Sequence, residues 1–504
     1  MDRHVLRRGT LLLLLLLAFA LRVSGLTVQS MWRDEVDALR FSQASLADLA
    51  KNFSRTGWNG PLFYVLLRVW VHLTGSSEFA LRAFSLSSGL LGVSLVYRVG
   101  RTWFSNRIGM LAALLTAFSP YMVWYAQEAK MYALLVALVV GTVAVYREAL
   151  RSGNWRLWVT VTVLAWIIVT VHIMGALLIP TMALMFFAWW PFSRARWRQA
   201  LLSLAGASLP GFVASPWALP VLVGGGNIGH RFVPLSGMIA TMLYAFTRGI
   251  TNGGGTWATA IAVVALLAGT VLGVTGDTRR WVTAVVRGEK ELSTSRDRAN
   301  RGSHVLAVWM WLVVPVLGLY AVSLRVPMFV DRYLIWIGPA FYLLVARGLD
   351  RVWRRSAVFA ILGLLAFLCC NAWGVWEQSA RPIKSDFRAA AAYVREHRQP
   401  GELLLFHISY VRDTFEYYYG ESSPAADGVP TDERTTEAAV HAAMWERIAG
   451  HEVVWLVLSE PEMWDRRGMT VAWLDAHARA ELRVDLERVS VVKYRISNEQ
   501  GGVP

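Results

Sequence analysis

The sequence predicts a polytopic α-helical membrane protein of about eleven transmembrane helices, followed by a soluble α/β domain. Its composition points this way, because 55% of the 504 residues are hydrophobic and only 17% are charged. An ordinary soluble domain is about 45–50% apolar and about 25% charged. The apolar residues are also gathered into segments near the ~20 residues that a helix needs to cross a bilayer. A disordered chain or a nucleic-acid-binding tail is excluded by this apolar content.

The apolar segments divide the chain into two predicted domains. A transmembrane domain occupies residues 1–373, with a long first outer loop at 27–79, and a soluble domain occupies 374–504. The predicted spans lie at roughly 9–26, 80–99, 108–125, 129–146, 157–173, 174–191, 199–222, 256–275, 305–324, 333–347 and 355–373. No small-residue cleavage site follows the first span, so we expect a retained anchor rather than a cleaved signal peptide.

Basic residues are distributed unevenly between the two sides of the membrane. With a cytoplasmic amino terminus, six short inner segments hold 23 of the 50 Lys and Arg residues, the outer side holds 12, and 15 follow residue 380. This is the positive-inside pattern. It explains the net charge of +15 by topology, so we expect no nucleic-acid partner. The cytoplasmic amino terminus makes the first loop extracytoplasmic. The odd number of spans then puts the soluble domain on the same side.

The soluble domain reads as a small sheet packed by helices. Apolar runs at Leu403–Phe406 and Val453–Leu458 predict buried strands, and residues 481–495 predict a strand pair. Helical stretches are expected around 386–398, 434–449 and 470–479, whereas residues 420–435 read as an exposed loop.

Three carboxylates lie within four residues of the first outer loop. They are Asp34, Glu35 and Asp37, close to the end of the first span. A carboxylate in a partly dry site acts well as a general base, because burial and a neighbouring carboxylate raise its pKa. A solvated acidic turn is the alternative, and the residues alone favour it.

The same loop continues into a short apolar stretch after Asn59. Residues 61–74 are interrupted by Arg68 and His72, so we expect a helix lying along the membrane surface. The alternative is a buried spanning helix.

Another acidic residue, Glu128, lies where the chain reverses between two predicted spans. An ionisable residue so close to the hydrocarbon is a functional candidate, with Lys130 as its possible partner. The alternative is a plain interfacial ion pair.

Several basic residues are predicted on the same side as Asp34. They are His230, Arg231 and Arg332, the last followed by Tyr333. Arginine binds phosphate oxygens bidentately, although an arginine at this level is more often an interface anchor.

No cofactor motif is present. The chain lacks a Walker A sequence, a Rossmann glycine fingerprint and an HExxH motif. Its two cysteines, Cys369 and Cys370, are adjacent within an apolar run and form no zinc spacing. We therefore expect no cofactor; a divalent metal stays open but is not indicated.

The order of these motifs resembles glycosyltransferase family 39. The resemblance rests on the acidic pair, Ser-Glu-Phe-Ala-Leu-Arg at 77–82, Tyr-Ala-Gln-Glu-Ala-Lys-Met-Tyr at 125–132 and Asp-Arg-Tyr-Leu-Ile at 331–335. It covers about the first 350 residues. The family has the GT-C membrane fold and includes protein O-mannosyltransferases and the lipid A aminoarabinose transferase.

This resemblance implies an activity. The family transfers one sugar, with inversion, from a polyprenyl-monophosphate donor to an acceptor at the outer membrane face. The acceptor would be a lipid, a glycan or a protein, and membrane lipids would surround the enzyme. Asp34 would be the general base with Glu35 beside it, and Glu128 would orient donor or acceptor. The residues expected to contact substrate or donor phosphate are Arg33, Asn59, Lys130, His230, Arg231, Arg332 and Tyr333.

One position departs from the family. Asn59-Gly60-Pro61-Leu62 stands where the family usually has His or Lys before Pro-Pro-Leu. The departure removes a basic phosphate contact, so another cation takes that role, the donor differs, or activity is reduced.

Two other functions stay open from sequence. A polyprenyl-linked sugar flippase or transporter would also need many spans, although transporters place charges at matching mid-membrane positions of two halves. A catalytically weak GT-C scaffold, with the soluble domain as a binding module, is the other.

Overall fold

The computed structural model describes residues 3–53, 60–211, 231–250, 259–265, 293–420, 424–431 and 434–497. The chain divides into two compact units. The first comprises Met1–Leu26 and Phe41–Gln378, and the second comprises Thr27–Arg40 and Ser379–Pro504. We call them the helical unit and the sheet unit.

The helical unit is built from helices alone in the part of the chain that is described. Their bounds are Arg3–Val23, Leu46–Phe53, Pro61–Thr74, Glu78–Trp103, Asn106–Phe118, Pro120–Ala126, Tyr132–Ser152, Trp155–Val171, Leu178–Ala188, Trp190–Ser193, Trp197–Ala207, Leu235–Arg248, Ser293–Ser323, Gly338–Arg355 and Ala357–Ala380, with 3₁₀ turns at Ile173–Leu177, Arg194–Arg196 and Asp331–Ile337. The helix Arg33–Gln43 begins in the sheet unit's segment and ends in that of the helical unit.

Four of the described helices are long and apolar enough to cross a membrane. They are Glu78–Trp103, Tyr132–Ser152, Ala357–Ala380 and the Gly302–Ser323 part of the helix Ser293–Ser323. A bent pair, Asn106–Phe118 with Pro120–Ala126, would make a fifth. The predicted spans at 199–222 and 256–275 fall partly outside the described residues, so the count of eleven stays a prediction.

The predicted span at 108–125 is broken in the structure. The two helices meet at a 64° bend because Pro120 cannot donate a backbone hydrogen bond to the preceding turn. The Ser119 hydroxyl accepts a hydrogen bond from the Met122 amide and so begins a new helix.

The sheet unit contains one five-stranded sheet in the order β2-β1-β3-β5-β4. The strands are β1 Leu403–Phe406, β2 Ala425–Asp427, β3 Val453–Leu458, β4 Ala478–Leu486 and β5 Val489–Ile496. β2, β1 and β3 are parallel, whereas β5 is antiparallel to both β3 and β4. The helices of this unit, besides the start of Arg33–Gln43, are Phe387–His397, Ser409–Tyr419, Glu437–Ile448, Pro461–Trp464 and Met469–His477.

Alternating side chains of the central strands enter two separate cores. Leu404 and Phe406 pack on one face of the sheet, whereas Leu403 and Leu405 pack on the other. Strands covered on both faces read as continuous apolar runs, which is why β1 and β3 could be located from sequence. Together with the membrane-type helices, this unit confirms the predicted fold class.

Two elements of the sheet unit differ from expectation. The predicted exposed loop at 420–435 is wrong in part, since Ala425–Asp427 forms β2 and pairs with β1. Alanine and aspartate are poor strand formers, so the hydrogen bonds of β1 decide this strand. The helix Ser409–Tyr419 was not predicted, and Gly420 ends it in a left-handed conformation.

A buried histidine follows β1. His407 has no solvent exposure, and its Nε2 lies 3.6 Å from Asp465 Oδ2. Burial lowers the pKa of His407, and the neighbouring Asp465 opposes that shift. Asp465 in turn accepts hydrogen bonds from the Met469 and Thr470 amides. The pair ties the end of β1 to the start of the helix Met469–His477.

Candidate active site

The segment carrying Asp34 is held by side-chain hydrogen bonds within the sheet unit. The Gln29 amide oxygen accepts from the backbone amides of Ile383 and Lys384, at 2.8 and 3.2 Å. Its amide nitrogen donates to the carbonyl of Arg381. Ser30 Oγ accepts from the Arg388 amide at 3.0 Å. These bonds position the segment just ahead of the helix Arg33–Gln43.

Glu35 forms a buried ion pair. Lys384 Nζ lies 3.0 Å from Glu35 Oε2, and the exposed fractions of the two side chains are 8% and 0%. The ammonium group also lies 5.4 Å from the centre of the Trp32 ring. A carboxylate so buried must be paired, so Lys384 neutralises Glu35. This geometry excludes a solvated acidic turn.

Asp34 lies beside this pair and keeps access to solvent. Its side chain is 19% exposed, and Arg33 approaches its Oδ1 at 3.4 Å. Both acidic residues are in the first turn of the helix Arg33–Gln43, where the helix dipole stabilises negative charge. Of the two predicted catalytic carboxylates in this segment, Asp34 is therefore the accessible one.

Arg33 lies between Asp34 and Tyr410 within the sheet unit. Its guanidinium carbon lies 4.5 Å above the centre of the Tyr410 ring. The Tyr410 hydroxyl donates to Glu460 Oε2 at 2.9 Å. Arg33 thus lies between a carboxylate and an aromatic face, an arrangement that favours a delocalised cation.

A cavity of about 260 Å³ is lined by residues of this segment and by side chains between residues 382 and 392. Ser30, Lys384, Asp386 and Arg388 contribute its polar lining. The Arg388 guanidinium donates to the carbonyls of Thr27 and Gln29.

Glu128 lies on a buried turn of the helical unit. Residues 127–131 connect the helices Pro120–Ala126 and Tyr132–Ser152 and are buried throughout. Glu128 itself is 2% exposed. Gln127 anchors the turn by donating to the carbonyl of Arg22 at 2.8 Å. Lys130 Nζ donates to Tyr64 Oη at 3.4 Å. Acidic and basic groups kept in so dry a turn are typical of a functional site.

Arg332 and Tyr333 lie in the 3₁₀ turn Asp331–Ile337 and join an aromatic cluster. Arg332 Nε donates to Tyr132 Oη at 3.0 Å, and Tyr132 directly follows the Glu128 turn. His172 packs between two tyrosines, with ring centroids 5.9 Å from Tyr132 and 5.2 Å from Tyr333. The structure therefore brings Arg332 and Tyr333 to the helix that begins at the Glu128 turn.

Of the other residues predicted to contact substrate or donor phosphate, Arg231 is the one that the structure describes. Arg231 is exposed, ahead of the helix Leu235–Arg248. His230 and Asn59 lie outside the described residues. Gly60, next to Asn59, is left-handed with φ 83° and precedes Pro61, the first residue of its helix.

Sequence reasoning missed Lys384, Tyr410 and Tyr132. Nothing in the sequence marks Lys384 or Tyr410, because each meets its partner across more than 340 residues of chain. Tyr132 is the last residue of the family-like motif at 125–132, so that motif could have pointed to it.

The part of the chain that the structure describes shows no metal-binding cluster. It holds no group of three or more His, Cys, Asp or Glu side chains arranged to bind a metal ion. The expectation that the chain needs no cofactor stays a prediction.

Solved structures resemble this chain over nearly its whole length. ArnT from Cupriavidus metallidurans in the apo state is 15% identical with a TM-score of 0.54, over 97% of each chain. The Archaeoglobus fulgidus oligosaccharyltransferase tethered with an acceptor peptide is 12% identical with a TM-score of 0.55, over 100% of this chain and 75% of its own. Both are GT-C glycosyltransferases.

The chain has the GT-C fold. ArnT from Cupriavidus metallidurans bound to undecaprenyl phosphate is also similar to this chain, at 15% identity and a TM-score of 0.51 over 97% of each chain. Residues 59–219 match the sequence model of the dolichyl-phosphate-mannose-protein mannosyltransferase family. Comparison with curated proteins finds no match. The predicted GT-C resemblance is confirmed, and the chain is a multi-pass membrane protein.

Proposed function

We propose that this GT-C protein is a membrane glycosyltransferase that moves a single sugar from a polyprenyl-monophosphate donor to an acceptor. The supporting observation is the difference in solvent exposure between the two adjacent carboxylates, Asp34 and Glu35. Glu35 is buried and neutralised by Lys384, while Asp34 is 19% exposed beside it. One carboxylate is thus kept accessible on a rigid helical turn.

Asp34 acts as the general base of the proposed reaction. The acceptor hydroxyl or amine attacks the anomeric carbon, and its proton passes to the Asp34 carboxylate. The bond between the anomeric carbon and the phosphate oxygen breaks on the opposite face of the sugar, so the anomeric configuration inverts. The polyprenyl phosphate leaves with the bonding electron pair. No nucleotide or redox cofactor is needed, because the phosphate is already an activated leaving group.

Lys130 and Arg332 are the proposed contacts for the leaving phosphate. Both are described side chains with hydroxyl partners, Tyr64 and Tyr132 respectively. Preorganised cations in a water-poor site stabilise charge that develops on a phosphate oxygen. Glu128, in the same buried turn as Lys130, would orient donor or acceptor.

The relatives support the choice of substrates. ArnT was solved with undecaprenyl phosphate, and the Archaeoglobus fulgidus oligosaccharyltransferase AglB was solved with an inhibitory peptide and a dolichol-phosphate. A lipid, glycan or protein acceptor is proposed here, with the amino terminus in the cytoplasm and both Asp34 and the soluble domain on the outer side.

The test is sugar transfer by the purified full-length protein in detergent. The assay offers a pool of radiolabelled polyprenyl-phosphate sugars together with membrane acceptors. We expect transfer by the wild-type protein and a loss of about 100-fold or more in Asp34→Asn, as general-base catalysis contributes about 10²–10⁴-fold. Asp37→Asn is the matched control, since Asp37 is a half-buried carboxylate one turn along the same helix and should keep activity.

Three results would contradict the proposal. Equal transfer by wild type and Asp34→Asn would eliminate Asp34 as the base and direct attention to Glu35 or Glu128. Equal losses in the Asp34 and Asp37 variants would point to a structural effect. No transfer by folded wild-type protein with any donor would favour the flippase or the catalytically weak scaffold.

A further inference from the structure

The sheet of the soluble domain has a topological switch point between β1 and β3. From β1 the chain passes through the helix Ser409–Tyr419 to β2 on one side. It then returns through the helix Glu437–Ile448 to β3 on the other side of β1. In open α/β sheets, ligands bind outside the carboxyl ends of the strands at such a point.

Tyr410 and Glu460 meet at this carboxyl edge. Tyr410 lies four residues after the end of β1, and Glu460 lies two residues after the end of β3. The hydrogen bond of 2.9 Å from the Tyr410 hydroxyl to Glu460 Oε2 joins them. Burial raises the pKa of the Tyr410 phenol, and the bond to Glu460 raises it further, so the hydroxyl stays protonated and donates.

The backbone of Glu460 is strained. Its φ of 49° and ψ of 46° are left-handed. Among the described residues only Arg488 shares a positive φ without being glycine. Non-glycine residues keep this conformation when their surroundings impose it, and they cluster at functional sites. In this conformation the Glu460 carboxylate accepts the hydrogen bond from Tyr410.

The two residues connect to Asp34 through Arg33. The Arg33 guanidinium lies 4.5 Å above the Tyr410 ring centre and 3.4 Å from Asp34 Oδ1. Arg33 is 41% exposed, so its long side chain has room to move unless the ring holds it. A hydrogen bond from the Tyr410 hydroxyl to a carboxylate makes the ring more electron-rich and a better platform for the cation.

We infer that Tyr410 and Glu460 are positioning residues of the transfer reaction, which hold Arg33 over the ring and so set the environment of the Asp34 carboxylate. This inference rests on the proposed function of Asp34. It gives the soluble domain a direct part in the reaction. A misplacement of about 1 Å in a reacting group costs about 100-fold in rate, so loss of this support should be visible in kcat.

The activity test is a double-mutant cycle in the full-length protein, with the transfer assay described above. Tyr410→Leu should lower kcat about tenfold and change KM for the acceptor less than about threefold. In an Arg33→Ala background the same change should cost less than about twofold, because residues that act through one another are not additive. Tyr410→Phe keeps the ring but loses the hydrogen bond to Glu460, so its kcat should lie between those of wild type and Tyr410→Leu.

Tyr494→Phe is the matched control. The Tyr494 hydroxyl donates to Asp475 at 2.8 Å, so the control removes the same kind of bond elsewhere in the sheet unit. It should leave kcat unchanged. An equal loss in Tyr410→Phe and Tyr494→Phe, or an equal cost of Tyr410→Leu with and without Arg33, would overturn the inference while leaving the proposed function intact.

Amide hydrogen exchange supplies a readout that does not depend on activity. Tyr410→Leu should speed exchange across residues 33–37, whereas Tyr494→Phe should not. Unchanged exchange in folded Tyr410→Leu protein would also overturn the inference. Wild-type protein that is folded but inactive contradicts the proposed function instead, and the exchange result still decides whether Tyr410 holds the Asp34 segment.

Discussion

Lys384 holds Glu35 in a buried ion pair of 3.0 Å, and this contact joins two segments that are 349 residues apart in the chain. The pair explains why only one of two adjacent carboxylates is accessible. Without Lys384, the buried charge of Glu35 beside Asp34 would be uncompensated. Several consequences of the structure can be measured without knowing the sugar or the acceptor.

Removing Lys384 should destabilise the protein strongly. Lys384→Met leaves the Glu35 charge buried without its cation, which costs about 3–5 kcal/mol of unfolding free energy. The double variant Glu35→Gln/Lys384→Met should cost clearly less than the sum of the two single changes. Urea unfolding of the full-length protein in detergent measures all three. Additive costs would show that the two side chains do not interact energetically.

Acid should destabilise the sheet unit in two steps. The pKa of His407 is lowered by burial, so below about pH 6.5 the unfolded chain takes up a proton that the folded chain resists. The free energy of unfolding therefore falls as pH drops toward the folded pKa. Burial raises the pKa of Asp465, but hydrogen bonds from Thr431, Thr470 and Met469 outweigh it and lower the pKa overall. A second loss follows below about pH 3.9.

The histidine step can be isolated by substitution. Unfolding midpoints between pH 8 and pH 5 should depend less on pH in His407→Gln than in wild type. His441→Gln, which changes an exposed histidine of the same unit, should keep the wild-type dependence. Identical slopes in all three proteins would assign the acid sensitivity to other groups.

Arg332 should matter for the donor. Losing a charge-assisted hydrogen bond to phosphate costs about 1.5–3 kcal/mol, so Arg332→Ala should raise KM for the polyprenyl-phosphate sugar by about tenfold or more. Arg325→Ala removes an exposed arginine seven residues earlier and should change this KM little. A rise in acceptor KM alone, with donor KM unchanged, would contradict the assignment.

Gly109 lets two helices of the helical unit approach closely. A Cβ on Gly109 would lie 2.6 Å from the carbonyl oxygen of Tyr97, in the neighbouring helix Glu78–Trp103. Gly109→Ala should therefore cost about 1–3 kcal/mol through overpacking. Gly363→Ala is the control, because a Cβ there meets nothing within 4 Å, and it should be neutral or slightly stabilising. Thermal unfolding of the purified variants compares them.

Much of the fold was predictable because it rests on hydrophobic burial. The bounds of β1 and β3 agree with the apolar runs at Leu403–Phe406 and Val453–Leu458, since a strand covered on both faces has no polar positions. β2 was not predictable, because Ala425–Asp427 carries no such run and is a strand only through its bonds to β1. The bend at Pro120 had a local signal, but its angle depends on packing.

The candidate site was predictable only in part. Sequence alone pointed to Asp34, Glu35 and Glu128, because carboxylates are rare and costly next to apolar spans. The residues alone did not separate Asp34 from Glu35, since the two are adjacent and chemically alike, and only the family resemblance implied Asp34 as the base. Tertiary structure distinguishes their exposure, because it buries Glu35 against Lys384 and leaves Asp34 partly exposed.

What the sequence by itself determined is the membrane class, the α/β character of the carboxyl-terminal sheet unit and the shortlist of acidic residues. These follow from composition and periodicity, which are local properties of the chain. What only the tertiary structure decided is the partner of each charge: Lys384 for Glu35, and the Tyr410 ring for Arg33. Charges are buried at a tolerable cost only when a partner arrives from elsewhere in the fold, and no pattern of neighbouring residues specifies which partner that is.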